Sequence, residues 1–235
     1  MSTYLELVQD LHSECNVGGT APTSGNFTSL TGTAAKLKTW VKQADLELKS
    51  KWFNWKFLWA SSTTSVISGT SDYAAPTGLG MYDKGTFQID GDPIDVIEYR
   101  EFKETYFHAT NTPGTPTKVV ILPDNRLRLW PEPNASFTLS YEYYKAANAS
   151  SMSAHGDSSV IPSAFHQAIY YLAMLYYAKW DNAPELESHA MSALYGRDGS
   201  KEGGWIAKLE AHQLPNSGYG NAVSDGNYEI QVTPE

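Results

Sequence analysis

Residues 126–152 read RLRLWPEPNASFTLSYEYYKAANASSM, a stretch that decides the fold class because apolar and polar side chains alternate in two runs. A period of two is typical of a strand with one buried face. Pro131 and Pro133 separate the runs, and a Pro-Asp-Asn turn at 123–125 precedes the first. We predict that Arg126 and Arg128 face water or an acidic neighbour. The stretch supplies two of three successive antiparallel strands, whose shared face holds Leu127, Leu129, Phe137, Leu139, Tyr141 and Tyr143.

Short alternating or β-branched runs fill the rest of residues 61–145, including TTSVIS, GTFQID, DVIEYREF and KVVILP, and clusters of Gly, Pro, Asn and Asp separate them. This pattern predicts an antiparallel β meander or a small barrel. Helical spacing on both sides of it predicts an α+β fold. Its parts are a bundle of about four helices from residues 1–60 and 157–214, an inserted β-domain at 61–156, and an extended C-terminal arm at 215–235.

Apolar residues spaced three and four apart predict the helices of this bundle. One helix covers residues 2–15, and a second covers 33–59, which at 1.5 Å per residue is about 40 Å long. Two more run from Ile161 to Trp180 and from Pro184 to about Leu194. The first of these is predicted to turn inward a stripe of Phe165, Ile169, Leu172, Tyr176 and Trp180. The segment GRDGSKEGG interrupts the last helix, and WIAKLEAHQ resumes it.

The aromatic residues exceed what one chain of this size is expected to bury. The helix from Ile161 is apolar on all sides, so it must be covered on all sides, and the segment KWFNWKFLW holds five aromatic residues in nine. That segment is either a core cluster beneath the β-domain or an exposed partner surface. We expect neighbouring copies of the chain to cover the aromatic side chains that a single copy cannot bury. The residues that divide between core and subunit contact are Trp52, Trp55, Trp59, Tyr170, Tyr171 and Tyr177.

The charge balance argues against a nucleic-acid-binding protein. Seventeen basic and 26 acidic side chains give a net charge of −9, and the chain shows no basic stripe for phosphates. An acidic surface favours the passage of DNA over adhesion. The single cysteine, Cys15, suits a reducing compartment, and neither a signal peptide nor a membrane span is evident. We expect a soluble protein made in the cytoplasm.

No catalytic, metal or cofactor motif is found in the chain, so we predict no enzyme activity and no cofactor. QIDGDPIDVIE differs from a calcium loop in its ligand offsets, and the six histidines lack metal-ligand spacing. GRDGSK lacks the order of a phosphate-binding loop. A pair of carboxylates for glycoside hydrolysis stays open, because its members need only meet in space.

Five segments together resemble the head-to-tail adaptor proteins of tailed bacteriophages, in particular those of short-tailed phages. The segments are YLELVQDLHSECNVGG, AAKLKTWVKQADLELKSKWFNWKFLW, RLRLWPEPNASFTLSYEYYKAA, IPSAFHQAIYYLAMLYYAKWDNAPEL and LEAHQLP. They occur in the order of that family and span nearly the whole chain. GRDGSKEGG departs from the smooth last helix of the family.

The resemblance implies a ring of twelve copies beneath the portal in the neck of the virion, around the channel for the genome. The other face of the ring would meet tail proteins of the nozzle or fibre. It also implies that the C-terminal arm reaches into the portal, a role that falls to Gly220–Glu235. Alternation of Tyr228, Ile230 and Val232 predicts that the arm adds a strand to another sheet. With Tyr219 they are the candidate docking residues.

Two other classes of protein remain open. One is a tail fibre or receptor-binding module that holds carbohydrate on Trp130 and Tyr143. The other is a virion enzyme such as a cell-wall hydrolase. The absence of a catalytic signature and the apolar helix favour the adaptor.

Overall fold

The computed structural model describes residues 2–109, 112–196 and 203–213. Helices at both ends of this part of the chain enclose a region of strands, which confirms the predicted α+β class. The predicted C-terminal arm lies outside the described residues. Their six helices are α1 (Tyr4–Glu14), α2 (Gly32–Ser50), α3 (Tyr99–Thr105), α4 (His166–Asp181), α5 (Pro184–Tyr195) and α6 (Trp205–Gln213).

Helix α1 is specified by its first residues. The Thr3 hydroxyl accepts a hydrogen bond from the Glu6 N–H, and the Glu6 carboxylate accepts one from the Thr3 N–H. This reciprocal pair satisfies two amides that the helix leaves unbonded. The start of α5 is also specified locally, because Pro184 lies in its first turn and proline suits that position.

Helix α2 is shorter than predicted, because it ends at Ser50 rather than at Trp59. Trp55 turns back after the helix and its indole N–H donates to the Leu48 carbonyl at 3.1 Å. That bond satisfies one of the carbonyls that a helix end leaves unpaired. A short 3₁₀ helix at Lys56–Leu58 follows, and Trp59 already belongs to the first strand.

Within the described residues, eight strands form two four-stranded sheets. The first sheet has the order β1-β8-β3-β4 and the second the order β2-β7-β6-β5; all neighbours are antiparallel except the parallel pair β5 and β6. The strands are β1 (Trp59–Val66), β2 (Asp72–Tyr73), β3 (Leu79–Ile89), β4 (Asp92–Pro93), β5 (Asp95–Ile97), β6 (Lys118–Ile121), β7 (Leu127–Trp130) and β8 (Phe137–Lys145).

The predicted pairing of β7 with β8 is wrong, because the two strands belong to different sheets. The turn at 123–125 does join β6 to β7 as an antiparallel pair, but Pro131–Ser136 carries the chain across to the other sheet. The predicted inward face is nevertheless buried. Leu127, Leu129, Leu139, Tyr141 and Tyr143 belong to one apolar cluster formed from both sheets, and Phe137 packs against it.

The run DVIEYREF, predicted as a strand, divides into β5 and α3. Tyr99, Phe102 and Tyr106 lie at helical spacing and pack with Trp130 in a small cluster of their own. The short helix therefore covers the outer side of the second sheet near β6, where Val120 and Leu122 are buried.

The helical core includes residues from both sides of the β region. Side chains of α1, α2, α4, α5 and α6 form one cluster, joined by Trp55, Leu58 and Met152. Helix α4 contacts α1, α2, α5 and α6, and nine of its sixteen residues are buried within the protomer. The inference that α4 needs a neighbouring copy to cover it is therefore wrong. Trp180, predicted to face inward, is instead 47% exposed.

A buried ion pair connects α2 to the segment that follows β8. Lys49 Nζ lies 2.6 Å from Asp45 Oδ2, and both side chains are fully buried. The Lys49 ammonium also donates to the Ser150 carbonyl at 3.0 Å, and the Ser159 hydroxyl donates to Asp45 Oδ1. Charges removed from water must be paired and hydrogen-bonded, so this network holds residues 150 and 159 against α2.

We expect Lys49→Met to lower the free energy of unfolding by about 3–5 kcal/mol, because it leaves the Asp45 carboxylate buried without its cation. Urea denaturation measures the change. Arg100→Met is the matched control: Arg100 and Glu104 form an ion pair at the same spacing, but both side chains are largely exposed, so stability changes little. The double variant Asp45→Leu/Lys49→Met should recover part of the loss. Equal stability of Lys49→Met and Arg100→Met would contradict the role of the pair.

Gly80 allows β3 and the end of β8 to approach closely. A Cβ at Gly80 would lie 2.9 Å from Ala146 N and 3.0 Å from the carbonyl carbon of Lys145, both backbone atoms. We expect Gly80→Ala to destabilise the protein by about 1–3 kcal/mol in thermal or urea unfolding, because the strands must separate. Gly85→Ala, in the same strand with its nearest neighbour 3.7 Å away, is the control and should be tolerated. Equal effects of the two substitutions would refute the close approach.

Candidate docking surfaces

The aromatic segment after α2 is mostly core. Trp55 is 1% exposed and stacks between Trp52 and Phe57, with ring centroids 4.9 and 5.2 Å away. Trp52 is partly buried against the helical cluster. Phe53 points away from this stack and is 66% exposed. The segment is therefore divided between its two interpretations. Trp55 belongs to the core, whereas Phe53 and Trp59 are exposed on the surface.

Trp59 begins an apolar row on the outer face of the first sheet. It pairs with Tyr144 across β1 and β8, and Tyr144 pairs with Met81 across β8 and β3. Cross-strand partners lie on the same face of a sheet. Trp59 and Met81 are exposed, and the Trp59 indole N–H donates to a Glu142 carboxylate oxygen at 3.1 Å. The row therefore offers apolar surface beside a charged group.

The three candidate tyrosines of α4 differ in environment. Tyr177 is buried, and its hydroxyl donates to Asp181 at 3.0 Å; burial and this carboxylate raise the pKa of Tyr177 to about 12. Tyr170 and Tyr171 are partly buried and contact each other edge to face at 5.1 Å. Burial also raises the pKa of Tyr170. These two rings line a polar groove with Asp10, Glu14 and His189.

The sequence analysis did not find a tryptophan patch, which we define as Lys36, the half-buried Trp40 and the exposed Trp180. The two indole rings lie 5.7 Å apart, and the Lys36 ammonium lies 3.8 Å from the centre of the Trp180 ring. Trp40 belongs to α2 and Trp180 to the last turn of α4, so the packing of two helices creates the patch. Helical spacing alone predicts that Trp180 faces inward, like the core aromatics. The sequence carries no further signal that separates it from them, and only its exposed position in the structure does so.

A cleft of about 480 Å³ lies on the second sheet between β2, β7 and α3. Arg128 forms two hydrogen bonds with the Asp72 carboxylate, and Arg126 lies 3.6 Å from it, so both arginines face an acidic neighbour as predicted. The Arg128 guanidinium holds the pKa of Asp72 below its usual range. Phe102, Phe107 and Trp130 form the apolar wall. Because the charges satisfy each other, the described residues that line the cleft present no unpaired charge to a ligand.

One of the two aromatic residues that we considered for binding carbohydrate is buried. Trp130 borders this cleft, but Tyr143 is buried in the cluster between the two sheets and cannot stack on a sugar.

In the ranges 2–109, 112–196 and 203–213, no group of three or more His, Cys, Asp or Glu side chains is placed to hold a metal ion. Cys15 is buried, which raises the pKa of its thiol to about 12.

The arm residues Tyr219, Tyr228, Ile230 and Val232 lie outside the described residues, and so do residues 197–202 of the GRDGSKEGG segment. Helix α6, which leads to the arm, is anchored to the segment after α2. The Gln213 side chain donates to the Asn54 carbonyl at 2.7 Å and accepts from the Lys56 N–H at 2.8 Å. Helix α6 therefore ends beside the segment that precedes β1.

Among the helices that the structure describes, none combines the length and the apolar character needed to cross a membrane. No curated protein matches the chain. The family model described as SU10 adaptor protein matches residues 2–202. That range includes both sheets, α1 to α5 and all of the surfaces described above. The chain therefore belongs to the SU10 adaptor protein family, which confirms its resemblance to the head-to-tail adaptors of tailed bacteriophages.

Proposed function

We propose that this phage adaptor protein forms a ring, which we expect to hold twelve copies, beneath the portal in the neck of the virion. One face joins the portal of the capsid and the other joins tail proteins of the nozzle or fibre. The genome passes through the channel of the ring. The observation that carries this proposal is the family match over residues 2–202. The chain acts structurally, without catalysis or a cofactor, and it is made in the cytoplasm of the host bacterium before assembly.

Exposed aromatic side chains support the contact between copies. Because α4 is covered within the protomer except at Trp180, the contact rests on the tryptophan patch and on Trp59 and Met81, which flank the half-buried Tyr144. Trp and Tyr suit this role since each buries a large area with little loss of rotamer entropy. The two surfaces belong to the helical part and to the first sheet, so a neighbour that contacts both would fix the orientation of the whole protomer.

The charge supports passage of DNA rather than its binding. The net charge is −9. Basic side chains near the exposed aromatics already interact with other residues of the protomer: the Lys36 ammonium lies over the Trp180 ring, and Lys51 forms an ion pair with Glu210. An acidic wall repels the phosphate backbone and lets the genome slide. The C-terminal arm docks at the portal through Tyr219, Tyr228, Ile230 and Val232, gaining order as it binds.

Mass photometry of the purified chain, alone and with a purified portal ring, tests the assembly. We expect the portal to capture adaptor copies up to a full ring, because the portal supplies the template that orders the arms. A stable trimer that binds glycans and has no affinity for the portal would instead favour the fibre module. Cleavage of peptidoglycan by the chain would favour the virion enzyme.

Trp180→Ser tests the contact between copies. We expect it to weaken assembly on the portal by about tenfold or more, because a tryptophan at an interface contributes far more than its neighbours. Assembly is followed as the concentration needed for half-occupancy in mass photometry. Trp180→Phe, which retains an apolar ring, is the matched control and should assemble nearly normally. Unchanged assembly of Trp180→Ser would remove the tryptophan patch from the interface.

Unfolding of the free chain separates this effect from a loss of stability. Trp180 is already about half exposed, so Trp180→Ser should change the midpoint of urea unfolding only slightly. Tyr170→Ser/Tyr171→Ser is the companion variant, and it should lower stability, since the two rings pack partly against the helical core.

A further inference from the structure

The outer edge of β1 is long and lacks the features that usually protect the edge of a sheet. The strand WASSTTSV contains no charged residue and no proline, and it pairs with β8 over eight consecutive residues without a bulge. On its other side β1 has no partner strand among the described residues. Natural proteins shorten, charge or bulge such an edge, because unpaired amide and carbonyl groups attract another strand.

The other sheet edges show that protection. They are formed by β4, β2 and β5, which have only two or three residues each, and by the part of β3 before its pairing with β4, where Asp83 and Lys84 lie in a stretch with register shifts against β8. Each also carries an aspartate, and β4 carries a proline as well. The edge of β1 is therefore the exception within the described part of both sheets, and it is the edge with the capacity to bind a further strand.

The hydrogen bonds of β8 show which groups of β1 are free. The Glu142 N–H donates to Thr86 on β3, and the Thr138 carbonyl accepts from Asp90, so both residues turn their backbone groups away from β1. Their partners on β1 are Ser61 and Ser65. In an antiparallel pair of this kind both residues point outward. Ser61, Ser65 and, by alternation, Thr63 thus direct their N–H and carbonyl groups to the open edge.

These outward groups have no hydrogen-bond partner within residues 2–109, 112–196 and 203–213. The alternate side chains, Ala60, Ser62 and Thr64, lie on the side of the second sheet, where Thr64 approaches the Tyr141 hydroxyl. They are small and only partly covered. A strand added at this edge would therefore place its inward side chains where the sandwich is incompletely closed, and large apolar residues would fill that space.

We propose that residues Tyr228–Val232 of the same chain dock as an additional strand on the outer edge of β1. Their sequence, YEIQV, alternates in the way that the site requires. Tyr228, Ile230 and Val232 lie opposite the small side chains of β1, over the open side of the sandwich. The added strand is antiparallel to β1, with Gln231 opposite Ser61 and Glu229 opposite Thr63, or, in the second register, with Gln231 opposite Thr63 and Glu229 opposite Ser65. In either register these pairs exchange backbone hydrogen bonds and turn their polar side chains to water.

The position of α6 favours the chain's own arm over that of another copy. Gln213 is held beside Asn54 and Lys56, only a few residues before β1 begins. Residues 214–227 span at most about 50 Å when extended, and β1 is about 27 Å long. As a flexible linker they have a mean end-to-end distance of about 20 Å, which gives the arm a local concentration in the millimolar range. Another copy reaches that concentration only after assembly.

Docking of the arm would protect the free chain from edge-to-edge association. A consequence follows that rests on the proposed function: an arm that docks at the portal leaves β1, so the edge becomes available to a further component only after the ring has formed. The docking itself does not depend on the portal, and it is tested on the isolated chain. Failure of the test below would leave the family assignment and the capture by the portal intact.

Amide hydrogen exchange of the full chain, resolved to single residues, tests the docked strand. Gln231→Pro removes an N–H directed at β1, so we expect exchange at Ser61 and Thr63 to become about tenfold faster or more. Exchange at Ser62 and Thr64, which bond to β8, should not change. Ser224→Pro introduces the same residue into the linker and is the matched control, with wild-type exchange at all four positions. Equal exchange at Ser61 and Thr63 in wild type and Gln231→Pro would overturn the proposal.

Disulfide formation identifies the chain that supplies the arm. Two double variants, Ser61→Cys/Gln231→Cys and Thr63→Cys/Gln231→Cys, place thiols within bridging distance in one of two registers. We expect one of them to close within the monomer under mild oxidation. Native Cys15 is buried with a raised thiol pKa and does not compete. A disulfide found only in dimers would assign the arm to a neighbouring copy and overturn the proposal, as would the absence of any bond in both variants.

Discussion

The ion pair of Asp45 and Lys49 determines how the helical part closes around the inserted strands. Both side chains are fully buried, so they depend entirely on each other and on Ser150 and Ser159 for the interactions that water would otherwise supply. These two serines lie where the chain leaves β8 and before it enters α4. The pair thus holds the return segment against α2, and α4 then packs on α2 at a defined position. An apolar pair could have filled the same volume, but it would not have selected these partners by hydrogen bonding.

Coverage of α4 within the protomer changes where the contacts between copies are expected. An apolar helix surrounded by four others has little left to offer a neighbour, and its exposed apolar surface is concentrated at Trp180. The remaining exposed aromatics lie at the ends of secondary-structure elements, such as Phe53 after α2 and Trp59 at the start of β1. In the ring that we propose, such contacts would join helical and sheet surfaces of adjacent copies, which would suit a rigid spacer between two larger assemblies.

Local signals in the sequence marked where several elements begin, but they did not mark where α2 ends. Thr3 and Glu6 mark the start of α1, Pro184 marks that of α5, and the Asp90-Gly91 pair forms a two-residue turn, both with positive φ, between β3 and β4. The spacing of Tyr99, Phe102 and Tyr106 carried a signal for α3 that the β-branched residues before it concealed. The end of α2 had no local signal, because the burial of Trp55 against the helical core overrides helical spacing.

The sequence by itself determined the α+β class, the inward faces of β7 and β8, and the acidic charge, because each of these depends on composition or on periodicity along a short segment. Only the tertiary structure decided that β7 and β8 enter different sheets, that α4 is enclosed by its own chain, and that the outer edge of β1 has no partner among the described residues. The physical reason is that strand pairing and helix burial are choices among partners distant in sequence. Their free energies depend on what else occupies the space, which periodicity does not record.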